Sequence, residues 1–463
     1  MLFSSVTFLF CFMPFCIIVY FILSPILRNF FLLLCSILFY AWGEPKYVLI
    51  MLGVIVLNYV SGIALSVVSK ARVLIISLSI TLNLGILAVF KYADFIVENV
   101  NTLFRTNISL LHIALPIGIS FYIFQSLSYV IDVYRKIVAP QKNPLKFALY
   151  VSFFPQLIAG PIVKYRDIAE EIESRICSFA DVAAGLRRFI IGLSKKVLIA
   201  NTMGEVADKI YAAGTNDISL SIAWLGALAY SLQILFDFSG YSDMAIGLGR
   251  VFGFHFAENF YYPYIAKSVT DFWRRWHISL SSWFKEYLYI PLGGNRVSIL
   301  HRNVNLLIVF FATGLWHGAS WNFVVWGMWH GLFLLLEKNI KEYWGKDISQ
   351  LKFIRHIYVI VVFVIGWVFF RADNLSIAVD FISLMFGLKA NEIISFGFMY
   401  YFNRKIALCG VVAILLCYPW KWDKIDKRFG MVVARDAALL GLLVLSIASI
   451  AASAYNPFIY FRF

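Results

Sequence analysis

Charged residues are scarce in this chain, and their scarcity bears directly on where the protein resides. Of its 463 residues, 14% are charged and 61% are hydrophobic, with a mean hydropathy of +0.80. Soluble globular chains carry about 25% charged and roughly 45–50% apolar residues. One water-facing globule of this length cannot enclose so much apolar surface, so part of that surface must face lipid. The shortage of charge therefore excludes an ordinary soluble protein.

Familiar chemical motifs are also missing. The six cysteines form no C-x-x-C pair and most lie in apolar runs, so the sequence predicts neither a disulfide framework nor a metal site. There is no H-E-x-x-H, G-x-S-x-G or Walker motif.

The amino-terminal segment has neither a basic start nor a cleavage site, so we expect it to be the first membrane span. The net charge of +14 is expected to lie in cytoplasmic loops, and no nucleic acid is predicted as a partner.

Long apolar runs account for most of the sequence. A helix needs about 20 apolar residues to cross a bilayer core of about 30 Å. Runs that meet or approach this length are found near residues 6–26, 30–42, 47–68, 72–90, 111–131, 186–200, 219–237, 303–336, 356–372, 374–388, 405–419 and 435–454. The shorter, interrupted stretches 147–163 and 278–292 are predicted to be re-entrant or interfacial. The sequence thus predicts an all-α polytopic protein with about eleven to thirteen membrane helices, and one domain over residues 1–463.

Aromatic and basic residues are interleaved in the segment 267–331. Seven of the thirteen tryptophans lie between Trp273 and Trp329. Such a pattern is most often an interfacial belt with positively charged anchors. That interpretation suffices for the basic residues Arg274 and Lys285, but it leaves His277 within an amphipathic stretch unexplained.

Two histidines follow inside an apolar run. An ionisable side chain at membrane depth is a functional-site hypothesis by default, although a hydrogen-bonded structural histidine competes with it. His317 stands between Gly314 and Gly318, which would allow a neighbouring helix or a ligand to approach closely. On an unbroken helix, His330 would face about 220° away. We therefore take His317 as the reactive candidate and His330 as a hydrogen-bonding core residue.

Acidic residues at membrane depth have two possible roles. Asp132, Asp237 and Asp243 are predicted to pair with basic residues or histidines in the bundle, or to belong to a proton path.

Several motifs resemble the membrane-bound O-acyltransferase family, specifically its bacterial alginate O-acetylation branch. The resemblance covers nearly the whole chain, with residues 236–331 as its signature core. The matching stretches are Leu115–Tyr122, Ile131–Arg135, Phe154–Pro161, Phe236–Asp243, Phe272–Arg296, Trp316–Trp321 and Phe458–Phe463.

The resemblance implies a ring of tilted helices around a tunnel in the bacterial inner membrane. It also implies that His317 is the catalytic histidine and His277 its upstream partner. Beside them we expect Asn322, or a nearby indole N–H, to steady the oxyanion, and Asp243 to be a supporting residue. The donor would be acetyl-CoA. Four basic residues would either hold its phosphates or anchor the protein at the membrane surface: Arg274, Arg275, Lys285 and Arg296. A periplasmic partner of SGNH-hydrolase-like fold would complete transfer to an exported polysaccharide such as alginate.

Other functions remain open at the level of sequence. Peptidoglycan and cellulose are alternative acceptors, since related membrane subunits serve all three polymers, but the chain-wide match favours an exopolysaccharide of the alginate type. A lipid-linked sugar transporter or flippase, with Asp243 and the histidines as a proton relay, is a second class. A non-catalytic scaffold for a polymer-secretion complex is a third.

Overall fold

A computed structural model describes residues 1–345, 354–391, 394–420, 429–453, 455–457 and 459. Of the carboxy-terminal motif Phe458–Phe463, only Ile459 lies within these residues. No β-strand is present in this part of the chain, which agrees with the all-α prediction. The chain divides into two compact units. Two of the three boundaries between them fall within the helices α10 (Phe179–Ser194) and α12 (Leu220–Val251), and the third lies between Ala257 and Glu258. The single-domain interpretation stays a prediction.

The first unit comprises Met1–Phe189 and Tyr241–Ala257. Its helices, apart from the parts of α10 and α12 that belong to it, are α1 (Met13–Ile22), α2 (Pro25–Gly43), α3 (Val48–Val67), α4 (Arg72–Leu87), α5 (Ala93–Phe104), α6 (Ile119–Tyr134), α7 (Pro144–Ser152), α8 (Phe154–Leu157) and α9 (Tyr165–Glu173). The interrupted stretch 147–163 contains the end of α7 and the short α8, and its re-entrant or interfacial location stays a prediction. Outside the apolar runs, α9 is tied to α7 by an ion pair between Lys146 and Glu173. Hydrogen bonds from Lys146 and Gln141 hold the pKa of Glu173 below its usual value.

The second unit comprises Ile190–Gly240 and Glu258–Phe463. Besides its parts of α10 and α12, its helices are α11 (Asn201–Ala213), α13 (Val269–Trp273), α14 (Ile278–Phe284), α15 (Ile299–His317), α16 (Trp321–Trp344), α17 (Ile354–Arg371), α18 (Leu375–Met385), α19 (Phe398–Tyr401), α20 (Arg404–Leu416) and α21 (Phe429–Ala452). A π-helical segment, Lys195–Ala200, joins α10 to α11, and another, Lys285–Tyr289, continues α14.

Seven helices in the described part of the chain are long and apolar enough to cross a membrane. They are Pro25–Gly43, Val48–Val67, Arg72–Phe104, Leu220–Val251, Ile299–His317, Ile354–Arg371 and Gly430–Ala452. The third of these consists of α4 and α5 together with the π-helical residues Ala88–Tyr92 that join them. The protein is therefore a multi-pass membrane protein, although this number is smaller than the eleven to thirteen predicted. The difference arises because apolar runs do not always fold as long helices. The run 111–131, for example, is non-helical up to Gly118, and the run 405–419 gives a helix of only 13 residues.

Glycines allow α15 and α16 to pack backbone against backbone. A Cβ atom at Gly314 would lie 2.4 Å from the carbonyl oxygen of Phe323, and one at Gly327 would lie 2.3 Å from that of Phe310. These distances are shorter than van der Waals contact, so only glycine fits at either position. The expectation that Gly314 admits a neighbouring helix is confirmed, and that helix is α16.

We expect Gly327→Ala to force α16 away from α15, because a backbone carbonyl cannot rotate aside as a side chain can. The cost should be about 1–3 kcal/mol, which is typical of overpacking a well-packed interior. The thermal midpoint of the purified protein in detergent measures the effect. Gly410→Ala in α20 is the matched control, since nothing lies within 4 Å of a Cβ at that position. An equal loss in both variants would contradict the packing argument.

Candidate active site

His317 is placed by a break in the long apolar run 303–336. The helix α15 ends at His317, Gly318 is extended with φ −165° and ψ 153°, and α16 begins at Trp321. The run is too long for one upright span, as predicted, and the break makes it a helical hairpin. The side chain of His317 thus stands at the carboxy-terminal end of a helix, where the macrodipole stabilises a positively charged imidazole.

Aromatic rings enclose the imidazole of His317. Its ring lies edge-to-face with Trp316, Trp326 and Phe370, at centroid distances of 4.9, 4.8 and 5.2 Å. The residue is 5% exposed. A proton-accepting group in such a water-poor chamber has its orientation fixed by packing, which a catalytic base requires.

A small cavity adjoins His317 within the second unit. Its volume is about 10 Å³, and its wall is formed by Ile234, Phe238, Trp276, His317, Trp326, Trp367, Phe370 and Ile459. A space of this size holds about one water molecule. An acetyl group therefore enters only if lining side chains move.

A buried ion pair holds the carboxy-terminal segment at this cavity. Lys196 Nζ lies 2.7 Å from Asp237 Oδ1, and the two side chains are 4% and 2% exposed. The backbone N–H of Ile459 donates to the second carboxylate oxygen of Asp237 at 3.0 Å, and Lys196 also donates to the carbonyl of Pro457. The ion pair, which joins α12 to the π-helical segment Lys195–Ala200, thereby holds the chain at Pro457 and at the cavity-lining Ile459.

His277 lies close to the same chamber, just before α14. Its ring is edge-on to the cavity residue Phe238 at 4.6 Å and contacts Trp316 at 6.0 Å. Its Nδ1 is 3.2 Å from the side-chain oxygen of Asn259. His277 and His317 thus belong to one aromatic cluster, with Trp316 in contact with both rings. Their catalytic roles stay predictions.

His330 differs from the sequence-based interpretation in two ways. Because the helix breaks after His317, the angle between the two histidines on one continuous helix has no meaning here. Both rings instead contact Trp326, at 4.8 and 5.4 Å. His330 was also expected to be hydrogen-bonded, yet neither ring nitrogen has a hydrogen-bond partner within the described residues. It is held by rings, and by the space that Gly366 leaves for its Nε2.

The two supporting residues are engaged elsewhere. The side-chain nitrogen of Asn322 donates to the carbonyls of Ala372 at 2.6 Å and Phe369 at 3.3 Å, so it ties α16 to the end of α17. This leaves no donor of Asn322 for a reacting oxygen. Asp243 belongs to the first unit, where it accepts from Arg188 at 2.9–3.0 Å. Its predicted pairing with a basic residue is confirmed.

The four basic residues of the predicted donor site separate into two kinds. Arg275 is held by Asp271, at 2.8 Å, and stacks on Tyr261. Its charge is already used within the fold. The other three are exposed and have no ion pair within the described residues: Arg274, Lys285 and Arg296.

No group of three or more histidine, cysteine or acidic side chains in the described part of the chain is placed to hold a metal ion.

Residues 65–378 match the profile of the membrane-bound O-acyltransferase family. The chain belongs to this family. It is therefore an O-acyltransferase, and family membership decides against the transporter and scaffold alternatives.

Three relatives in the family illustrate its range. The probable alginate O-acetylase AlgI of Pseudomonas putida is 38% identical over the full length of both chains. The peptidoglycan O-acetyltransferase of Helicobacter pylori is 38% identical over 84% of this chain and 80% of its own. The teichoic acid D-alanyltransferase of Bacillus subtilis is 29% identical over 51% of this chain and 62% of its own.

Sequence reasoning missed three contributors to this region. Asn259 stands outside every motif, and its role appears only once the chain folds back on His277. Trp367 and Ile459 join the cavity from distant parts of the chain. A polar side chain in an apolar run is the sequence signal that could have pointed to Asn259. The same signal did single out Asp237 as a residue that pairs with a basic group.

We expect Lys196→Met to destabilise the protein by about 3–5 kcal/mol, since it leaves the buried Asp237 carboxylate without its cation. The double variant Lys196→Met/Asp237→Asn should recover part of this loss, because it removes the uncompensated charge. Thermal midpoints in detergent measure both changes. Lys209→Met is the control, because the exposed pair of Lys209 with Glu205 is of a kind that contributes little. A double variant no more stable than the single one would argue against the ion pair.

Proposed function

We propose that this protein is an O-acetyltransferase that uses cytoplasmic acetyl-CoA to acetylate an exported polysaccharide, with alginate as the acceptor. The observation that carries the proposal is the placement of His317, buried among aromatic rings at the end of α15, beside a small cavity. The full-length similarity to the alginate O-acetylase of Pseudomonas putida supports the acetyl group and the polymer. Peptidoglycan and cellulose are the alternative acceptors within the same chemistry, the former supported by the Helicobacter pylori relative.

The proposed reaction is transfer of an acyl group from sulfur to oxygen. Neutral His317 takes the proton of the attacking hydroxyl, and the hydroxyl oxygen forms a bond to the thioester carbonyl carbon. The carbon–sulfur bond breaks, and the proton on His317 passes to the departing thiolate, so that an acetyl ester and free CoA result. A positioned base contributes about 10²–10⁴-fold to such a step. The helix carboxy terminus stabilises the imidazolium that forms in between.

The attacking hydroxyl belongs either to the polymer or to a serine of a partner protein. We propose a periplasmic partner of SGNH-hydrolase-like fold, because the segments between the membrane helices leave no room for a domain that would bind a long polymer. The bacterial inner membrane is the proposed location, since it separates a cytoplasmic donor from an exported acceptor.

The exposed basic residues Arg274, Lys285 and Arg296 are the proposed contacts for the phosphates of CoA. Their exposure and their lack of an ion pair in the described structure leave their charge available to an anionic ligand. Arg275, which is held by Asp271, belongs to the fold and not to this contact.

We expect His317→Ala to lower acetylation of the exported polymer by about 100-fold or more, because it removes the proton acceptor. The acetyl content of the polymer, normalised to the amount of protein in the membrane, measures the loss. His301→Ala, at the exposed start of the same helix, is the matched control and should acetylate normally. Full acetylation by His317→Ala would overturn the proposal.

We expect the combined variant Arg274→Gln/Lys285→Gln/Arg296→Gln to raise KM for acetyl-CoA by roughly tenfold, because it removes three charges that face the donor phosphates. The KM for acetyl-pantetheine, a donor without the nucleotide phosphates, should not change. Initial rates of the purified enzyme with each donor provide the test. If the three residues are only membrane anchors, both KM values stay the same and the amount of inserted protein falls instead.

A further inference from the structure

Asn259 contacts His277 with its side chain and the next residue, Ile278, with its backbone. The backbone carbonyl of Asn259 accepts from the N–H of Ile278 at 2.9 Å, and its side-chain oxygen lies 3.2 Å from His277 Nδ1. Two further hydrogen bonds reach the same oxygen, from the N–H of Ser279 at 3.2 Å and from its hydroxyl at 2.9 Å. Asn259 is 0% exposed and His277 is 1% exposed, so water does not compete for these groups.

These contacts determine which way the amide of Asn259 faces. A backbone N–H can only donate, so the atom that it meets must be the amide oxygen and not the nitrogen. An amide oxygen can only accept. His277 Nδ1 must therefore carry the proton and donate it to Asn259. The alternative, in which the Ser279 hydroxyl donates to Nδ1, involves a longer distance of 3.4 Å.

The proton on Nδ1 defines the other ring nitrogen. In a neutral imidazole only one nitrogen bears hydrogen, so Nε2 of His277 carries a lone pair. This Nε2 is buried and has no hydrogen-bond partner within the described residues. The rings around it, Phe238, Phe260 and Trp316, offer no charge that would stabilise an imidazolium. The result is a buried acceptor next to the His317 chamber.

The backbone at His277 is consistent with an enforced orientation. His277 has φ +43° and ψ 56°, a left-handed conformation that non-glycine residues rarely adopt. Such strain persists where the surroundings over-determine it, and it clusters at functional sites. The paired hydrogen bonds from residues 278 and 279 to Asn259 supply that constraint.

We propose that Asn259 is a positioning residue that fixes His277 in its Nδ1–H form, so that Nε2 accepts a hydrogen bond from a second donor on the acceptor, such as a neighbouring hydroxyl, while the attacking hydroxyl gives its one proton to His317. This inference rests on the proposed acetyl transfer. It also determines which of the two substrates His277 contacts. A nitrogen lone pair can bind a hydroxyl, but it cannot stabilise the negative oxygen that develops on the thioester carbonyl. His277 therefore serves the acceptor and not the acetyl donor.

The tautomer of His277 provides a direct test. Protein labelled with [15N]histidine and reconstituted in lipid gives distinct nitrogen shifts for protonated and unprotonated ring positions. The seven histidines are separated by subtracting the spectrum of His277→Gln. The expected result is an Nδ1–H, bare Nε2 imidazole in the native protein, and the opposite or a mixed form in Asn259→Ala. Ser279→Ala keeps the Asn259–His277 contact and should retain the native tautomer. An Nε2–H imidazole in the native protein would overturn the assignment, whatever the enzyme does.

Activity provides the second measurement. Asn259→Ala should lower the acetyl-transfer rate by roughly 10–100-fold, the usual effect of losing a partner that orients a histidine. Asn259→Asp should restore a large part of this rate, since a carboxylate oxygen also accepts from Nδ1–H. A merely structural role would give equal losses in the two variants and an unchanged tautomer in Asn259→Ala. If the native protein shows the expected tautomer but transfers no acetyl group, the proposed function fails while the assignment of Asn259 stands.

Discussion

The backbone contact between α15 and α16 is the constraint on which the geometry around His317 depends. Helices in lipid gain little from burying apolar side chains against one another, because the surrounding acyl chains are equally apolar. Close packing at small residues takes the place of that driving force. Gly314 and Gly327 let each helix meet a carbonyl of the other. This close approach places Trp326 of α16 against the ring of His317. The position of the proposed base therefore depends on the two glycines.

Polar groups inside the second unit are satisfied in two different ways, and the difference bears on chemistry. Lys196 and Asp237 neutralise each other and have fixed charges, which suits a structural clamp on the carboxy-terminal segment. His277 is paired with a neutral amide instead, so its ring is oriented without being drawn into a permanent charge. The amide oxygen orients the ring through Nδ1 and leaves Nε2 able to accept a hydrogen bond.

Composition and periodicity were sufficient to predict an all-α membrane protein and to select His317, because the cost of an ionisable group in lipid can be read from the sequence alone. The sequence showed only that the run 303–336 is too long for one upright span. It did not predict a break at Gly318, because no local signal distinguishes a kinked helix from a helical hairpin. The identity of partners was less accessible. Asn322 stands near His317 in sequence but bonds to Ala372, whereas Asn259 is distant in sequence from His277 and contacts it. Such pairings depend on how the chain returns to itself, which a period of 3.6 residues does not encode.

The size of the cavity at His317 sets a requirement on any acyl transfer there. About 10 Å³ admits a water molecule but not a thioester, so the chamber must widen during each cycle. Most of its wall consists of rings packed against other rings, and these cannot move singly without leaving voids. The backbone N–H of Ile459, by contrast, is held by a hydrogen bond to the carboxylate of Asp237.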